Sequence, residues 1–498
     1  MKSRLIFSLI TFGILFLIIL SVSDSPLAAQ QPNQWSPPQR IPYYDDEGQA
    51  PHLLADSNKT VHAFNSQKVS GQLVITYRQW SLDQGWTAPI DILLPPEKGQ
   101  ARMMDAFLDH SGMIHLVFFS GNDVNADIYY SKAPAVHAGQ AQAWSAPELI
   151  GEEAKTPSSA ALAGDDQGHL FVVYSGKPDG IGMYAVSSND AGNSWTEPIP
   201  IFLTYSDQLS PFALKMNLDQ QGQLHAVWNV NNRSGTGETI YYSRLSADRL
   251  QWSEPIELAV VDGYSAAWPS VIEHNNELFV IYQNSQPATR WMRKSFDGGE
   301  TWTDPVRPFP HVGEYAHAAL VVDSNNQLHM ILGNRIGNPA IHGMWHSVWQ
   351  GERWSHLLPI VSGPQVGTGS LEERFDPTAP RTVISLGNVL LLTWVTDPMA
   401  GRNGVWYSYI TLDAPELSMM ALPTPQASPT PIATATSQVM PTPTPNRLPE
   451  HLQVQPGNES PTIANSSPAS ALMAAIIPVV LLMLVIAVGY QFALYGRR

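Results

Sequence analysis

Short apolar runs alternate with polar positions along most of the chain, and the alternation recurs at a steady interval. One element reads Gly or Asn, then x-Leu-His-x-Val-Trp. It occurs as DHSGMIHLVFF, DDQGHLFVVYS, DQQGQLHAVWN, EHNNELFVIYQ and DSNNQLHMILG, with weaker copies DSNKTVHAF and LGNVLLLTW. Its fourth position is His62, His115, Phe171, His225, Phe279, His329 and Leu391, at spacings of 50 to 62 residues. A second element, Trp-Ser/Thr-x-Pro, interleaves with the first at Trp35, Trp86, Trp144, Trp195, Trp252 and Trp302, with a looser copy at Trp354. Asp-x-x-Gly between two alternating runs predicts a hairpin turn. The runs are short and rich in Val, Ile, Tyr and Trp, as strands are. Each unit therefore predicts four strands, and a four-stranded unit at this period predicts an all-β fold, a β-propeller.

The two ends bear on how the ring closes. Trp35 and its Pro precede the first complete unit, where only a fourth strand would stand. The last unit, near residues 378–412, lacks a Trp-x-x-Pro strand. The N-terminal strand is expected to complete the last unit. That gives seven four-stranded blades; six with an irregular extra hairpin is the alternative.

Outside this body, residues 1–29 carry Lys2 and Arg4, an apolar run to Leu20 and small residues ending at Ala29, which reads as a secretory signal peptide. Residues 471–494 are almost wholly apolar and are followed by the tail 495–498, ending Arg497–Arg498. This reads as a transmembrane helix with a cytoplasmic tail. Between body and anchor, residues 416–468 form a Pro/Thr/Ser-rich stretch that cannot bury a core and reads as a disordered stalk. The folded body is then 32–415, held outside the cell and anchored in the plasma membrane through a single C-terminal helix. The chain has no cysteine, which removes thiol catalysis, thiolate metal sites and disulfides. Its formal charge of −16 argues against a nucleic-acid partner. No His-Glu-x-x-His, Gly-x-Ser-x-Gly or phosphate-loop motif occurs, and no cofactor or metal is called for. The repeated histidines share their slot with Phe and Leu, so they read as packing residues.

The stretch SSNDAGNSWTEP at 187–198 returns as SFDGGETWTDP at 295–305. Both fit Ser-x-Asp-x-Gly-x-x-Trp, through Ser188, Asp190, Gly192 and Trp195 and through Ser295, Asp297, Gly299 and Trp302. Asp in such a turn accepts from backbone N–H groups, and Gly permits positive φ. These residues resemble the Asp box of sialidase-like propellers, also called bacterial neuraminidase repeats. The resemblance covers the repeat plan of the body. It implies a structural role for these residues, on the face away from any substrate. It names a fold group and not a reaction.

Polar residues crowd the connections between strands 4 and 1 and between strands 2 and 3, where a ligand site is expected. An exo-sialidase, as the resemblance implies it, needs arginines on a substrate carboxylate, a Tyr activated by a Glu, and an acidic Asp. Candidate ligand-binding residues are Arg233, Arg290, Arg335 and Arg402 in the 2–3 connections, Arg381 near an inner strand, Tyr264, Tyr315 and Asp376. Arg102, Asp105, Tyr43, Tyr205, Glu314, Glu373 and Arg374 belong to the same polar set. Arg40, in an Arg-Ile-Pro string, falls on an outer strand by the repeat register. The first reading is recognition of an extracellular ligand, for instance a glycan, with exposed aromatics such as Tyr43, Tyr44 and Trp268. The alternatives are an exo-sialidase-type glycoside hydrolase and a scaffold for a surface protein. The catalytic residues and the oligomeric state are left open.

Overall fold

The computed structural model describes residues 33–420 and 422, apart from 45–47, 97–98, 123–124, 156–158, 250, 260–264, 286–287, 311, 313–316, 335–341, 363–376 and 397–403. The chain divides into two units, Met1–Gln426 and Ala427–Arg498, and every described residue lies in the first. The expected signal peptide, anchor and tail, and nearly all of the expected stalk, lie outside the described residues. Among the described residues no helix is long and apolar enough to cross a membrane.

The described body is all-β and antiparallel. Two single-turn 3-10 segments, Ala135–His137 and Ala141–Ala143, are its helical pieces. The strands His52–Ala55, Gln100–Leu108, Ala160–Gly164, Ser210–Leu218, Ala266–His274, Ala319–Val322 and Pro377–Ser385 lie innermost. Each contacts the next in chain order, and Pro377–Ser385 returns to His52–Ala55. A closed ring of radially packed meanders is a β-propeller. The sheets' second strands are its driest parts: Leu170–Gly176 and Leu328–Asn334 are buried throughout. Both faces of such a strand meet a neighbouring sheet, so it reads as a continuous apolar run.

The ring is latched by its N-terminus. Gln39–Arg40 pairs with Val405–Thr411, setting Gln39 opposite Tyr407 and Arg40 opposite Trp406, so Arg40 is on an outer strand as its register predicts. Ser36 N–H donates to the Tyr409 carbonyl at 2.8 Å and Ile41 N–H to that of Val405 at 2.8 Å.

The hydrogen bonding departs from a set of separate four-stranded units. Five sheets of three to five strands stand alone among the described residues, and a sixth has eight strands. The cause is local. Glu148–Lys155 carries two register shifts, at Leu149/Gly151 and Gly151/Ala154. These bend its end outward until Ala154 pairs with Gly176 of the following meander. One other sheet has three strands, Ala266–His274, Glu277–Ser285 and Ala288–Ser295, with a lone bridge from Met292 to Val306 where a fourth would run.

The recurring histidines do more than pack. His62 lies 3.3 Å from Asp56 Oδ2 through Nε2 and 2.7 Å from the Tyr77 hydroxyl through Nδ1. His115 repeats this with Asp109 and Tyr130, and His225 with Asp219 and Tyr242. A carboxylate only accepts, so Nε2 carries the proton and Nδ1 accepts from the tyrosine. His329 bonds Asp323 in the same way but takes His346 in place of tyrosine, at 2.9 Å. Each Asp also caps its own hairpin, as Asp109 does by accepting from Met113 N–H at 2.8 Å.

The tyrosines of two such sets reach the Ser-x-Asp-x-Gly turns of the next meander. A Cβ at Gly192 would lie 2.1 Å from the Tyr130 hydroxyl oxygen, and one at Gly299 within 1.8 Å of that of Tyr242. Within the turn, Ser188 Oγ donates to Asp190 and accepts from Gly192 N–H at 2.9 Å. The Asp190 carboxylate accepts from the N–H groups of Asn193 and Ser194. Ser295 and Asp297 repeat the arrangement. Trp195 and Trp302 then stand edge-on to those tyrosines, with ring centroids 4.9 Å apart in both cases. Elsewhere Trp35 meets His346 and Trp86 meets Tyr407 in the same edge-on way.

Two predictions follow from this packing. Gly299→Ala should cost about 2–6 kcal/mol, because positive φ and a buried clash each cost about 1–3 kcal/mol. Gly351→Ala is the control: its φ is +90° but nothing lies within 4 Å of the added carbon. It should cost about 1 kcal/mol, and equal losses in denaturant titrations of the two variants would refute the close-approach account. The second concerns acid. Burial, and then His329, push His346 down to about 3. Burial raises Asp109, but hydrogen bonds from His115 and Met113 outweigh it and bring the carboxyl to about 2. The unfolded chain takes up the histidine proton near 6.5 and the aspartate proton near 3.9. Stability should therefore fall steadily below about pH 6.5, and further as Asp109 protonates towards pH 2. A melting temperature that is flat or rising from pH 7 to pH 4 would contradict this.

Candidate functional site

Four inner strands share one irregularity. Met103/Asp105, Phe212/Lys215, Ala267/Ser270 and Thr378/Arg381 each mark a point where the inner strand carries one residue more than its partner. These are β-bulges, which re-aim side chains. Three carry a non-glycine residue at positive φ: Ala213 at 56°, Trp268 at 56° and Ala379 at 50°. Such backbone is uncommon and persists where the surroundings impose it. The bulges sit at matching heights around the ring and bring Asp105, Lys215, Ser270 and Arg381 to one central cavity of about 310 Å³, with His52 and His317.

The cavity holds a compact charge cluster. Asp105 accepts from Ala106 N–H through Oδ1 and from Leu162 N–H through Oδ2, each at 3.0 Å. His52 Nδ1 lies 2.9 Å from Arg381 Nη1 and 3.2 Å from Asp105 Oδ1. One nitrogen cannot accept from the guanidinium and donate to the carboxylate together. Arginine only donates, so neutral His52 accepts from Arg381, and Asp105 stands beside it as an electrostatic neighbour. Burial, and then the Arg381 charge, bring His52 to about 4, which agrees with that choice. Burial and Arg381 also lower Lys215 to about 8, with Asp105 opposing them. The Lys215 ammonium makes no hydrogen bond among the described residues, and Lys215 lines the cavity. His317 donates from Nδ1 to the Pro269 carbonyl at 2.7 Å, which leaves Nε2 as an acceptor; burial holds its pKa well below the usual value. Burial raises the Asp105 carboxyl, but the Leu162 N–H and the Lys215 charge help to bring it below its ordinary value. Two cations thus face one carboxylate inside a chain of formal charge −16. Asp105 still exposes 32% of its side chain, so the cavity is open to solvent.

A smaller cavity of about 200 Å³ lies at the ends of the strands that carry the 2–3 and 4–1 connections. Phe212, Asn229, Asn231, Thr236, Trp268 and Gln283 line it. The Ser-x-Asp-x-Gly turns, in the 3–4 connections, are at the opposite ends of their strands.

Of the sequence candidates, Arg381 lies in the central cavity, and so does Asp105 from the wider polar set. Arg233 is exposed in its turn and donates to Gln208 Oε1 at 3.2 Å. Arg290 is not in a loop. It belongs to the strand Ala288–Ser295, is fully buried, and donates to the Gly333 carbonyl of the next sheet at 3.2 Å. Tyr44 is not an exposed aromatic: only 7% of it is accessible, and Arg78 lies over its ring at 4.1 Å. Tyr43 and Tyr205 are exposed and Trp268 is half-buried. Arg335, Arg402, Tyr264, Tyr315 and Asp376 lie outside the described residues, as do Glu314, Glu373 and Arg374. Among the described residues no tyrosine lines the central cavity, and no group of three or more His, Asp or Glu is placed to hold a metal ion. Sequence reasoning missed His52, Lys215 and His317. The signal was available: Lys215 and Arg381 interrupt inner-strand runs at the same repeat position.

No protein-family model matches the chain, and no curated protein does. Solved structures show partial likeness. A protein of unknown function from Dyadobacter fermentans is 15% identical, with a TM-score of 0.46, over 76% of this chain and 99% of its own. An ulvan lyase is 10% identical, with a TM-score of 0.49, over 76% and 96%. A sialidase from Streptococcus pneumoniae is 12% identical, with a TM-score of 0.41, over 78% and 72%. Likeness at this level carries no argument about ligand or reaction.

The electrostatic account makes its own prediction. Burial lowers His52 most and the Arg381 charge next, so Arg381→Gln should move the His52 pKa up from about 4 toward its ordinary value. Imidazole proton shifts followed by NMR across pH 3–8 would read this. An unchanged titration would show that the guanidinium does not govern the site.

Proposed function

We propose that the protein binds an acidic ligand, an anionic glycan, in the central cavity of an extracellular propeller. The observation that carries this is the pairing of Lys215 and Arg381 on one open cavity, where their charges outnumber the single carboxylate. Two half-buried cations facing a single carboxylate leave the cavity with a net positive charge, for which an anionic ligand supplies the countercharge. A guanidinium and an ammonium on one wall suit a carboxylate or sulfate. His317 and Asp105 add acceptors for neighbouring hydroxyls. Exo-sialidase chemistry is the second reading, favoured by Arg381 in the cavity; its tyrosine and acid would come from Tyr264, Tyr315 and Asp376.

The finer architecture belongs to this reading. The eight-stranded sheet is two blades, Gln100–Lys155 and Ala160–Leu203, joined where Ala154 meets Gly176, which makes a ring of seven. The turns at Ser188–Trp195 and Ser295–Trp302 are Asp boxes, on the face away from the ligand. In this reading residues 1–29 are an export signal, 416–468 a stalk and 471–494 an anchor. Lys2 and Arg4 before the first apolar run, and Arg497 and Arg498 after the second, support this assignment.

Calorimetry on the full-length protein tests the proposal with glucuronate, sialyllactose and uncharged lactose. Acidic ligands should bind at least tenfold more tightly than lactose. Lys215→Ala and Arg381→Ala should each weaken them about tenfold or more, since a hydrogen bond to a charged group is worth about 1.5–3 kcal/mol. Affinity should also fall as pH rises through about 8, where Lys215 loses its proton. Equal binding of acidic and neutral ligands would end the proposal. Release of free sialic acid from sialyllactose would establish the second reading.

A further inference from the structure

The smaller cavity has a chemistry unlike the central one. Its lining carries no ionisable side chain among the described residues; it offers two aromatic rings, amides and hydroxyls. Trp268 dominates it. Its ring stands edge-on to Phe212 at 5.4 Å on one side and to His317 at 5.2 Å on the other. Its backbone, at φ +56°, is held by a hydrogen bond from its N–H to Asn229 Oδ1 at 3.1 Å. Asn229 in turn donates to Asn231 at 2.6 Å. A bulky residue in this conformation, braced on three sides, is one whose position is being enforced.

Gln283 gives the independent observation. It is 9% exposed and lines the same cavity, yet its Oε1 accepts no hydrogen bond among the described residues. Buried acceptors are almost always satisfied, and this one, on a residue that lines the cavity, has no donor among the described residues. At roughly 30 Å³ per water, about 200 Å³ is the space of about seven waters, comparable with one sugar ring. An uncharged ring with hydroxyl edges and an apolar face fits an indole beside amides.

The two cavities share their scaffolding. Phe212 and Lys215 flank the bulge in Ser210–Leu218, one serving each cavity. Trp268 and Ser270 do the same in Ala266–His274. His317 touches Trp268 and lines the central cavity. We infer that the smaller cavity is a subsite for an uncharged sugar, with Trp268 as its stacking platform and Gln283 as its hydroxyl acceptor. This rests on the acidic-ligand reading of the central cavity. Together they define the ligand as an oligosaccharide in which a neutral residue adjoins an acidic one.

The test compares four probes on the full-length protein by calorimetry: glucuronate, a disaccharide of glucuronate and a neutral sugar, a disaccharide of two uronates, and lactose. The mixed disaccharide should bind at least tenfold more tightly than glucuronate, and the diuronate should show no such gain. Gln283→Leu should remove most of the gain and leave glucuronate binding unchanged, and Trp268→Ala should remove the gain as well, whereas Lys215→Ala should weaken both acidic ligands. Gln283→Leu, which replaces an unsatisfied acceptor, should keep or raise the melting temperature, so loss of the gain there cannot be put down to unfolding. If glucuronate binds but the mixed disaccharide shows no gain, or the gain survives both variants, the subsite is overturned and the central reading stands. If no acidic probe binds but lactose does, and Gln283→Leu weakens it, the subsite stands and the central reading falls. Binding of none of the four overturns both.

Discussion

A tyrosine hydroxyl lodged against the glycine of the next meander's turn is the contact on which the order of this ring depends. Tyr130 and Tyr242 each end a chain of hydrogen bonds that starts at a hairpin carboxylate and passes through a buried histidine. The chain fixes the hydroxyl's position, and the neighbouring Gly192 or Gly299 leaves the space it needs. Trp195 and Trp302 then cover the junction. Hydrophobic burial drives sheets together without saying which edge should meet which. Directional bonds ending on a glycine supply that register.

The same ring works against itself at its centre. Inner strands in a closed ring point alternate side chains at one another, and an apolar filling would seal the channel. Here one extra residue in each of four inner strands breaks the alternation and turns Asp105, Lys215, Ser270 and Arg381 to the middle. The strain is visible in three positive-φ residues, Ala213, Trp268 and Ala379. Propeller stability resides in the interfaces between sheets, so irregularity at the inner strands is tolerated. The outer ends carry the structural turns and the inner strands carry the charged cluster, a division of labour imposed by topology.

The site was less legible than the fold. Arg381 and Asp105 were found because they are charged residues near inner strands, but the same reasoning put Arg290 on an exposed loop. Arg290 is buried because its strand begins earlier than the loop composition suggests, and the Gly333 carbonyl takes its hydrogen bond. His52, Lys215 and His317 carried no motif. His52 and Lys215 stand ten residues before the repeat's fourth position, as Asp105 and Arg381 do, and His317 stands twelve before it; the offset alone does not say which side chains a one-residue bulge turns inward. The repeated histidines were read as packing because Phe and Leu share their slot; their Asp and Tyr partners, six residues before and 15 to 17 residues after, complete a pattern visible only once pairing is known.

Local chemistry determined the strands, the hairpins, the repeat and the closing role of the N-terminal segment, because each depends on neighbours close in sequence or on a period that recurs. Only the tertiary structure decided that one strand would bend across to fuse two meanders, that Tyr44 would be buried under Arg78, and that residues from His52 to Arg381 would share one cavity. The fused meanders and the bulged strands around the cavity depend on register shifts of a single residue. Such a shift changes which face a side chain takes while leaving the sequence pattern nearly the same.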